Sequence, residues 1–288
     1  MIDASNSVIG TLNYLANNIH PDISMAVHQC ARFCSRPKAL HELTIKCIAH
    51  YLLATKDKGL VLTPNKSFVL EIFVDADFAG HWHKEFSHLQ DSLLSRMFFL
   101  VTFWGCPISW SSKLQSKITS SMTKSKYIAL SSDTREILPL RHVLQDILDH
   151  IFVQIPSSPS DSIVTKNFQS TISAPKVFED NTACFVLTTT ETTFKPWTKH
   201  ISLKYHHFHD QIRNGLLKIV IVDTHSNWAD MFTKPLGCVK YEHLCKLLMG
   251  WLAHHHCSLQ LHHTGEVARA FSQIGYDSIS IHSILIYK

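Results

Sequence analysis

The sequence predicts an α+β or α/β domain built on one mixed sheet, with a small helical segment ahead of it. Two observations carry that expectation. Up to about residue 55 apolar residues recur at helical spacing, whereas from residue 59 they gather in short runs bounded by turn residues. Further along, short strand candidates alternate with helical stretches, the pattern of a sheet with helices packed against it. No internal repeat is visible.

The helical segment comes first. Val8, Ile9, Leu12 and Leu15 form one stripe, which His20-Pro21-Asp22 interrupts. A second helix is expected from Pro21, whose fixed φ suits a first helical turn, carrying Ile23, Ala26, Val27 and Cys30. After the break at Ser35-Arg36-Pro37, the residues Leu43, Cys47, Ile48, Tyr51 and Leu52 mark a third. Core packing explains all three stripes.

Strand signals follow. Leu60-Val61-Leu62 precedes a Pro64-Asn65 turn, and residues 68–74 read as a buried strand ending at Asp75. Residues 97–103 and 107–111 read as two more strands around Gly105-Cys106. A long helix is expected over 123–150, kinked at Pro139, and the Ser/Thr/Pro-rich stretch 156–174 reads as a surface loop or linker. Beyond it lie a short strand at Val177-Phe178, helices at 181–189 and 201–214, a strand at 216–222 and a helix after Ser226.

Composition narrows the class. With 288 residues, 45% of them hydrophobic, the chain can bury the core of one or two domains. Charged residues make up 17%, too few for a solvated charged tail. A net charge of +4 permits a nucleic-acid partner but does not single one out, because the Lys and Arg are spread along the chain. The eight cysteines are scattered, with no CxxC pair, and read as reduced thiols of an intracellular protein. No signal-peptide pattern opens the sequence, and no apolar run approaches the ~20 residues that would span a membrane.

Three acidic residues stand where secondary structure changes: Asp75 at a strand end, Asp180 just after a strand, and Asp230 in the first turn of a helix. Carboxylates so placed can converge at one sheet edge and hold Mg²⁺, which seeks hard oxygen ligands. They are equally suited to capping turns and helix starts.

The words around them are more specific. Asp75-Ala76-Asp77-Phe78-Ala79-Gly80 is followed by Ile108-Ser109-Trp110-Ser111-Ser112-Lys113-Leu114-Gln115 and Phe178-Glu179-Asp180-Asn181. Thr198-Lys199-His200-Ile201 with Lys204-Tyr205-His206-His207-Phe208, and Trp228-Ala229-Asp230-Met231-Phe232-Thr233-Lys234-Pro235-Leu236, complete the series. In this order they resemble the ribonuclease H region of copia-type retrotransposon Pol polyproteins. Upstream, Ile9-Gly10-Thr11-Leu12-Asn13-Tyr14-Leu15-Ala16 and His20-Pro21-Asp22-Ile23 resemble the segment after the reverse-transcriptase palm. The resemblance covers about residues 5–251.

It implies a ribonuclease H-like fold, a mixed five-stranded sheet with flanking helices. Residues 1–58 would be a helical thumb- or connection-like remnant, 59–251 the ribonuclease H-like domain, and 252–288 an unmatched tail expected to be weakly packed. The activity implied is cleavage of the RNA strand of an RNA/DNA hybrid by two Mg²⁺ ions about 4 Å apart. Carried over by motif, Asp75, Asp180 and Asp230 would be catalytic metal ligands, joined by a Glu early in the long helix.

At that fourth position the chain departs from the family. Where the family reads Ser-Thr-Thr-Glu-Ala-Glu-Tyr-Ile-Ala, this chain reads Ser121-Met122-Thr123-Lys124-Ser125-Lys126-Tyr127-Ile128-Ala129. Lys126 takes the place of the metal-binding Glu and Lys124 that of the other; Lys117 is a third such replacement. An ammonium group only donates hydrogen bonds and cannot ligate Mg²⁺. Facing a divalent ion at about 4 Å, it would meet roughly 8 kcal/mol of repulsion at an effective dielectric near 20. Asp133, two helical turns beyond Lys126 and about 10 Å away, is too distant to substitute. Met97-Phe98 also replaces an expected Thr-Gly, which would strain a turn.

No Tyr-x-Asp-Asp, integrase zinc or protease Asp-Ser/Thr-Gly motif is present, so the chain is expected to begin after the polymerase active site. His254-His255-His256-Cys257 with His262-His263 fits no zinc-module spacing. The expectation is therefore a catalytically impaired ribonuclease H-like domain of a truncated transposon copy. The alternatives are a non-catalytic nucleic-acid-binding or domesticated interaction module, or an active nuclease using a substitute acid.

Overall fold

The computed structural model describes residues 2–35, 37, 39–64, 69–80, 93–154, 172–189, 207–233 and 236–251. The expectations for the 156–171 loop, residues 190–206 and the tail 252–288 lie outside these. The chain divides into two compact units: Met1–Thr63 with Trp110–Leu114 and Trp228–Lys288, and Pro64–Ser109 with Gln115–Asn227.

The first unit is helical. It contains α1 (Ile2–Asn18), a 3-10 turn (Pro21–Ile23), α2 (Ser24–Ala31) and α3 (Ala39–Ala54). Ile9 and Leu12 of α1, Val27 and Cys30 of α2, and Ile48 and Tyr51 of α3 are buried, as their spacing predicts, whereas Val8 is exposed and Ala16 is buried in the α1 stripe instead. The Leu60-Val61-Leu62 run forms no strand. Its Val61 N–H instead donates to Met249 O at 3.0 Å, and the Trp251 indole donates to Gly59 O at 3.0 Å. A short apolar run with no neighbouring strand to pair with stays irregular.

The second unit carries the sheet, except for the Trp110–Leu114 part of β3: β1 (Leu70–Ala76), β2 (Arg96–Phe103), β3 (Cys106–Leu114), β4 (Lys176–Glu179) and β5 (Lys218–Ile221). The strand order is β3-β2-β1-β4-β5. β1 runs antiparallel to β2 and parallel to β4, which in turn is parallel to β5. This is an α/β fold with a mixed five-stranded open sheet and flanking helices, consistent with the ribonuclease H-like architecture the resemblance implies.

Trp104 and Gly105 join β2 to β3, both with positive φ (60° and 75°). Two left-handed residues give the hairpin turn whose twist matches that of the flanking strands. Met97 and Phe98 are not in a strained turn. They lie in β2 opposite Ala76 and Asp75, and both are buried.

The helix α4 (Met122–Gln154) runs through Pro139 without ending there. Its Tyr127, Ala129, Leu130 and Ile137 pack with Leu70, Ile72 and Val74 of β1 and Met97, Phe99 and Val101 of β2. Each fully buried side chain of this kind contributes about 1.5–3 kcal/mol. Two short helices, α5 (Thr182–Thr189) and α6 (His207–Arg213), complete this unit. In the first unit, a single turn α7 (Asp230–Thr233) precedes α8 (Cys238–Met249). The cysteines described there and elsewhere, Cys30, Cys34, Cys47, Cys106, Cys184 and Cys245, are free thiols. No helix among the described residues is long and apolar enough to cross a membrane.

Candidate functional site

Strand register brings two of the expected carboxylates together. In the parallel pair β1 and β4, Phe73 stands opposite Phe178, and their rings stack at 4.7 Å. Asp75 and Asp180 each follow two residues later, so the period-two alternation of strands returns both to the same face at the same level. They lie at the carboxyl ends of adjacent parallel strands, and their carboxylate oxygens come within 4.8 Å of each other.

Lys126 reaches them from the first turns of α4. It shares a buried helix face with Leu130, Thr134 and Ile137, and its own side chain is 4% exposed. Its Nζ donates to Asp75 Oδ1 at 2.7 Å and to Asp180 Oδ1 in a short contact. Glu179 Oε1 lies 3.7 Å from the same nitrogen. The repulsion expected between Lys126 and a metal is thus replaced by attraction between Lys126 and the carboxylates themselves. Lys124 is half-buried and Lys117 exposed.

Glu179 also belongs to this group; it stands in the Phe178-Glu179-Asp180-Asn181 word, but the word gives it no role. A Glu in the last position of a short strand gives no signal of its own; only the register, which turns it inward, reveals it. Its side chain is fully buried, and Oε1 accepts the Asn181 N–H at 2.9 Å. Asn181 Oδ1 in turn accepts the Cys184 N–H at 2.8 Å and caps α5. Burial pushes the Glu179 carboxyl up to about 7, against the downward pull of Lys126. Burial pulls the Lys126 ammonium down, but Asp75, Glu179 and Asp180 outweigh it and hold the pKa above its ordinary value.

The rest of the Asp75–Gly80 word builds the platform. Asp77 Oδ1 accepts the Arg96 N–H in a short contact, and the Asp77 N–H donates to Arg96 O at 3.0 Å. Burial lifts the Asp77 carboxyl to about 6 despite that backbone donor. Ser125 Oγ donates to Asp77 O at 2.9 Å, and Gln115 Nε2 donates to Ser125 O at 2.8 Å. These bonds fix the start of α4, and hence Lys126, to the end of β1. At Gly80 an added Cβ would sit 2.6 Å from Asp77 Oδ2, so a larger residue there would have to displace the buried Asp77 carboxylate.

Asp230 belongs to the other unit. It is buried at the start of α7, and its Oδ2 accepts a hydrogen bond from Lys240 Nζ of α8 at 2.6 Å. Each of Asp75, Asp180 and Asp230 offers a carboxylate oxygen of the kind that could hold a metal ion. Each is also bonded to a lysine. Asp133 is buried two turns along α4 from Lys126, and His209, which no motif singles out, meets the Tyr127 hydroxyl at 3.1 Å.

Comparison with known proteins gives these residues a context. The chain is 29% identical over 239 residues to the retrovirus-related Pol polyprotein from transposon RE2 of Arabidopsis thaliana, a match covering 83% of the chain. It is 31% identical over 245 residues, 85% of the chain, to the corresponding polyprotein from transposon TNT 1-94 of Nicotiana tabacum. The chain spans only 14% and 16% of these two relatives. It is also 32% identical to secreted RxLR effector protein 161 of Plasmopara viticola, over 130 residues that make up 45% of the chain and 86% of that protein. No family model matches the chain.

Proposed function

We propose, from the premise that this chain is a retrotransposon Pol polyprotein fragment of the copia type, that it is a ribonuclease H-like region whose nuclease chemistry has been lost. Its ancestral substrate is the RNA strand of an RNA/DNA hybrid. Asp75, Asp180 and Asp230 are the retained acids of the metal-binding set, and Lys126 stands in place of the fourth.

The observation that carries this reading is the position of the Lys126 ammonium, bonded to both Asp75 and Asp180. Mg²⁺ demands near-ideal octahedral oxygen coordination at about 2.0–2.1 Å. The donor set is a poor match to it, because one oxygen each of Asp75 and Asp180 is turned to a lysine and the fourth ligand position carries an ammonium instead of a carboxylate. With those oxygens engaged, the arrangement supports no metal-assisted hydrolysis. What remains is a surface for binding, and any contact with nucleic acid is electrostatic and largely independent of sequence. A nuclear or cytoplasmic setting follows from this reading, with no membrane.

The test is gel-resolved cleavage of an RNA/DNA hybrid in Mg²⁺. Wild type should leave the hybrid intact. Lys126→Glu should restore some cleavage, since it returns an oxygen ligand and removes a cation. Lys126→Glu combined with Asp75→Asn should abolish it again. Robust wild-type cleavage that Asp75→Asn removes would overturn the reading.

A second reading, a non-catalytic interaction module, draws on the similarity to the Plasmopara protein, which is named as a secreted effector and is covered over most of its length. Hybrid binding that falls steeply with added salt favours a nucleic-acid binder. Binding indifferent to salt, or selective for one base sequence, excludes an electrostatic, sequence-independent mode.

A further inference from the structure

We infer that the Lys126 ammonium is the resident cation of the carboxylate group formed by Asp75, Glu179 and Asp180, making this part of the fold independent of divalent ions. The inference stands on the geometry of the second unit and not on the ancestry of the chain.

Three carboxylates meet at the ends of β1 and β4, with side chains 0%, 0% and 5% exposed. Carboxylates brought that close repel one another, and burial removes the water that would screen them. A fold tolerates such a group by protonating a member or by placing a cation at its centre. Lys126 Nζ is there, donating to Asp75 and Asp180 and lying 3.7 Å from Glu179. The backbone around it is arranged to keep it there. Ser125, the preceding residue, is bonded through its hydroxyl to Asp77 O and through its carbonyl to Gln115 Nε2. The lysine is therefore held on a short, doubly anchored helical turn, and a solvated side chain that merely happened to lie nearby would not be 4% exposed.

The consequence separates this site from one that waits for a metal. A protein whose acids need a divalent ion gains stability when the ion is supplied, by mass action on the native state. Here the covalently attached cation leaves nothing for the ion to add.

The test uses the full chain without nucleic acid, stripped of metal, with thermal unfolding read in millimolar MgCl₂ and in NaCl of equal ionic strength. The wild-type midpoint should move no further in MgCl₂ than in NaCl. Lys126→Gln should lower it by about 10 °C, and MgCl₂, but not NaCl, should return part of that loss. Lys126→Arg, which keeps a cation, should stay indifferent to MgCl₂. If Lys126→Gln does not fold, MgCl₂ should raise its folded fraction in far-ultraviolet circular dichroism. A second measurement needs only wild type: Mn²⁺ titration followed by the spin-resonance signal of the free ion should show no saturable site.

Specific Mg²⁺ stabilisation of wild type, or a saturable Mn²⁺ site that Asp75→Asn removes, would overturn the inference. So would a Lys126→Gln variant that is as stable as wild type, or one weakened or unfolded and deaf to MgCl₂, since a lysine serving only to pack would behave that way. Hybrid cleavage is read in a separate assay, so failure of the functional reading leaves these outcomes distinct.

Discussion

Each unit buries a carboxylate centre, and the two are satisfied by different chemistry. In the first unit Asp22 is a single carboxylate, 2% exposed. Its Oδ2 accepts the Tyr51 hydroxyl at 2.6 Å, and Oδ1 lies 3.2 Å from His20 Nδ1. Its backbone carbonyl accepts the Tyr241 hydroxyl at 3.2 Å. In the second unit Asp75, Glu179 and Asp180 share one ammonium. A single buried carboxylate can be held by hydroxyl donors, which supply hydrogen bonds and little charge. Three together need charge as well, because hydrogen bonds do not cancel their mutual repulsion.

Removing the partner should therefore cost more where charge is the partner. Lys126→Met should destabilise the protein by about 3–5 kcal/mol, the usual cost of leaving a buried ion without its counter-ion. Tyr51→Phe, which takes away a hydroxyl donor to a charged acceptor, should cost about 1.5–3 kcal/mol. Urea unfolding of both variants gives the comparison, and a larger loss in Tyr51→Phe would reverse it. Tyr241→Phe removes only a donor to a backbone carbonyl and should cost about 0.5–1.5 kcal/mol; a loss matching that of Lys126→Met would show that the Asp22 centre is more than a set of single bonds.

The smallest effect expected is at His20, and it depends on pH. The hydrogen bond to Asp22 raises the His20 pKa above 6.5, burial opposing and the Asp22 charge assisting. The folded protein thus binds the proton more tightly than the unfolded chain. The resulting stability is fully present below pH 6.5 and is lost as pH rises through the raised folded value. Wild type should exceed His20→Gln in stability most clearly in mild acid, with the gap narrowing as the solution is made alkaline and imidazole becomes neutral in both states. A gap that widens with pH would reverse the sign of the coupling.

The elements are largely legible in the sequence because their signals are local. The stripes of α1 to α3, the runs that form β1 and β2, and the long α4 all lie within a few residues of their expected places. Leu60-Val61-Leu62 misleads, since an apolar run of three residues says nothing about whether a partner strand exists. The candidate site is legible in its acids and in Lys126, because ordered words carry them. What Lys126 does there is not. Motif order makes it a cation opposed to a metal, whereas the register of β1 against β4 makes it the partner of Asp75 and Asp180. Glu179 and the Asp77–Arg96 pairing are hidden for the same reason, being contacts between residues distant in sequence.

The first unit is closed by residues from far apart in the chain: the Tyr241 hydroxyl that reaches Asp22 O comes from 219 positions downstream. On a ribosome adding about 5–20 residues per second, that partner emerges roughly ten to forty seconds after Asp22 has been made. For that interval the apolar faces of α1, α2 and α3 lack the helix that completes their unit. Vectorial synthesis thus makes the early helices the first part of their unit to be made and among the last to be completed, with their apolar faces open to chaperones and to aggregation meanwhile.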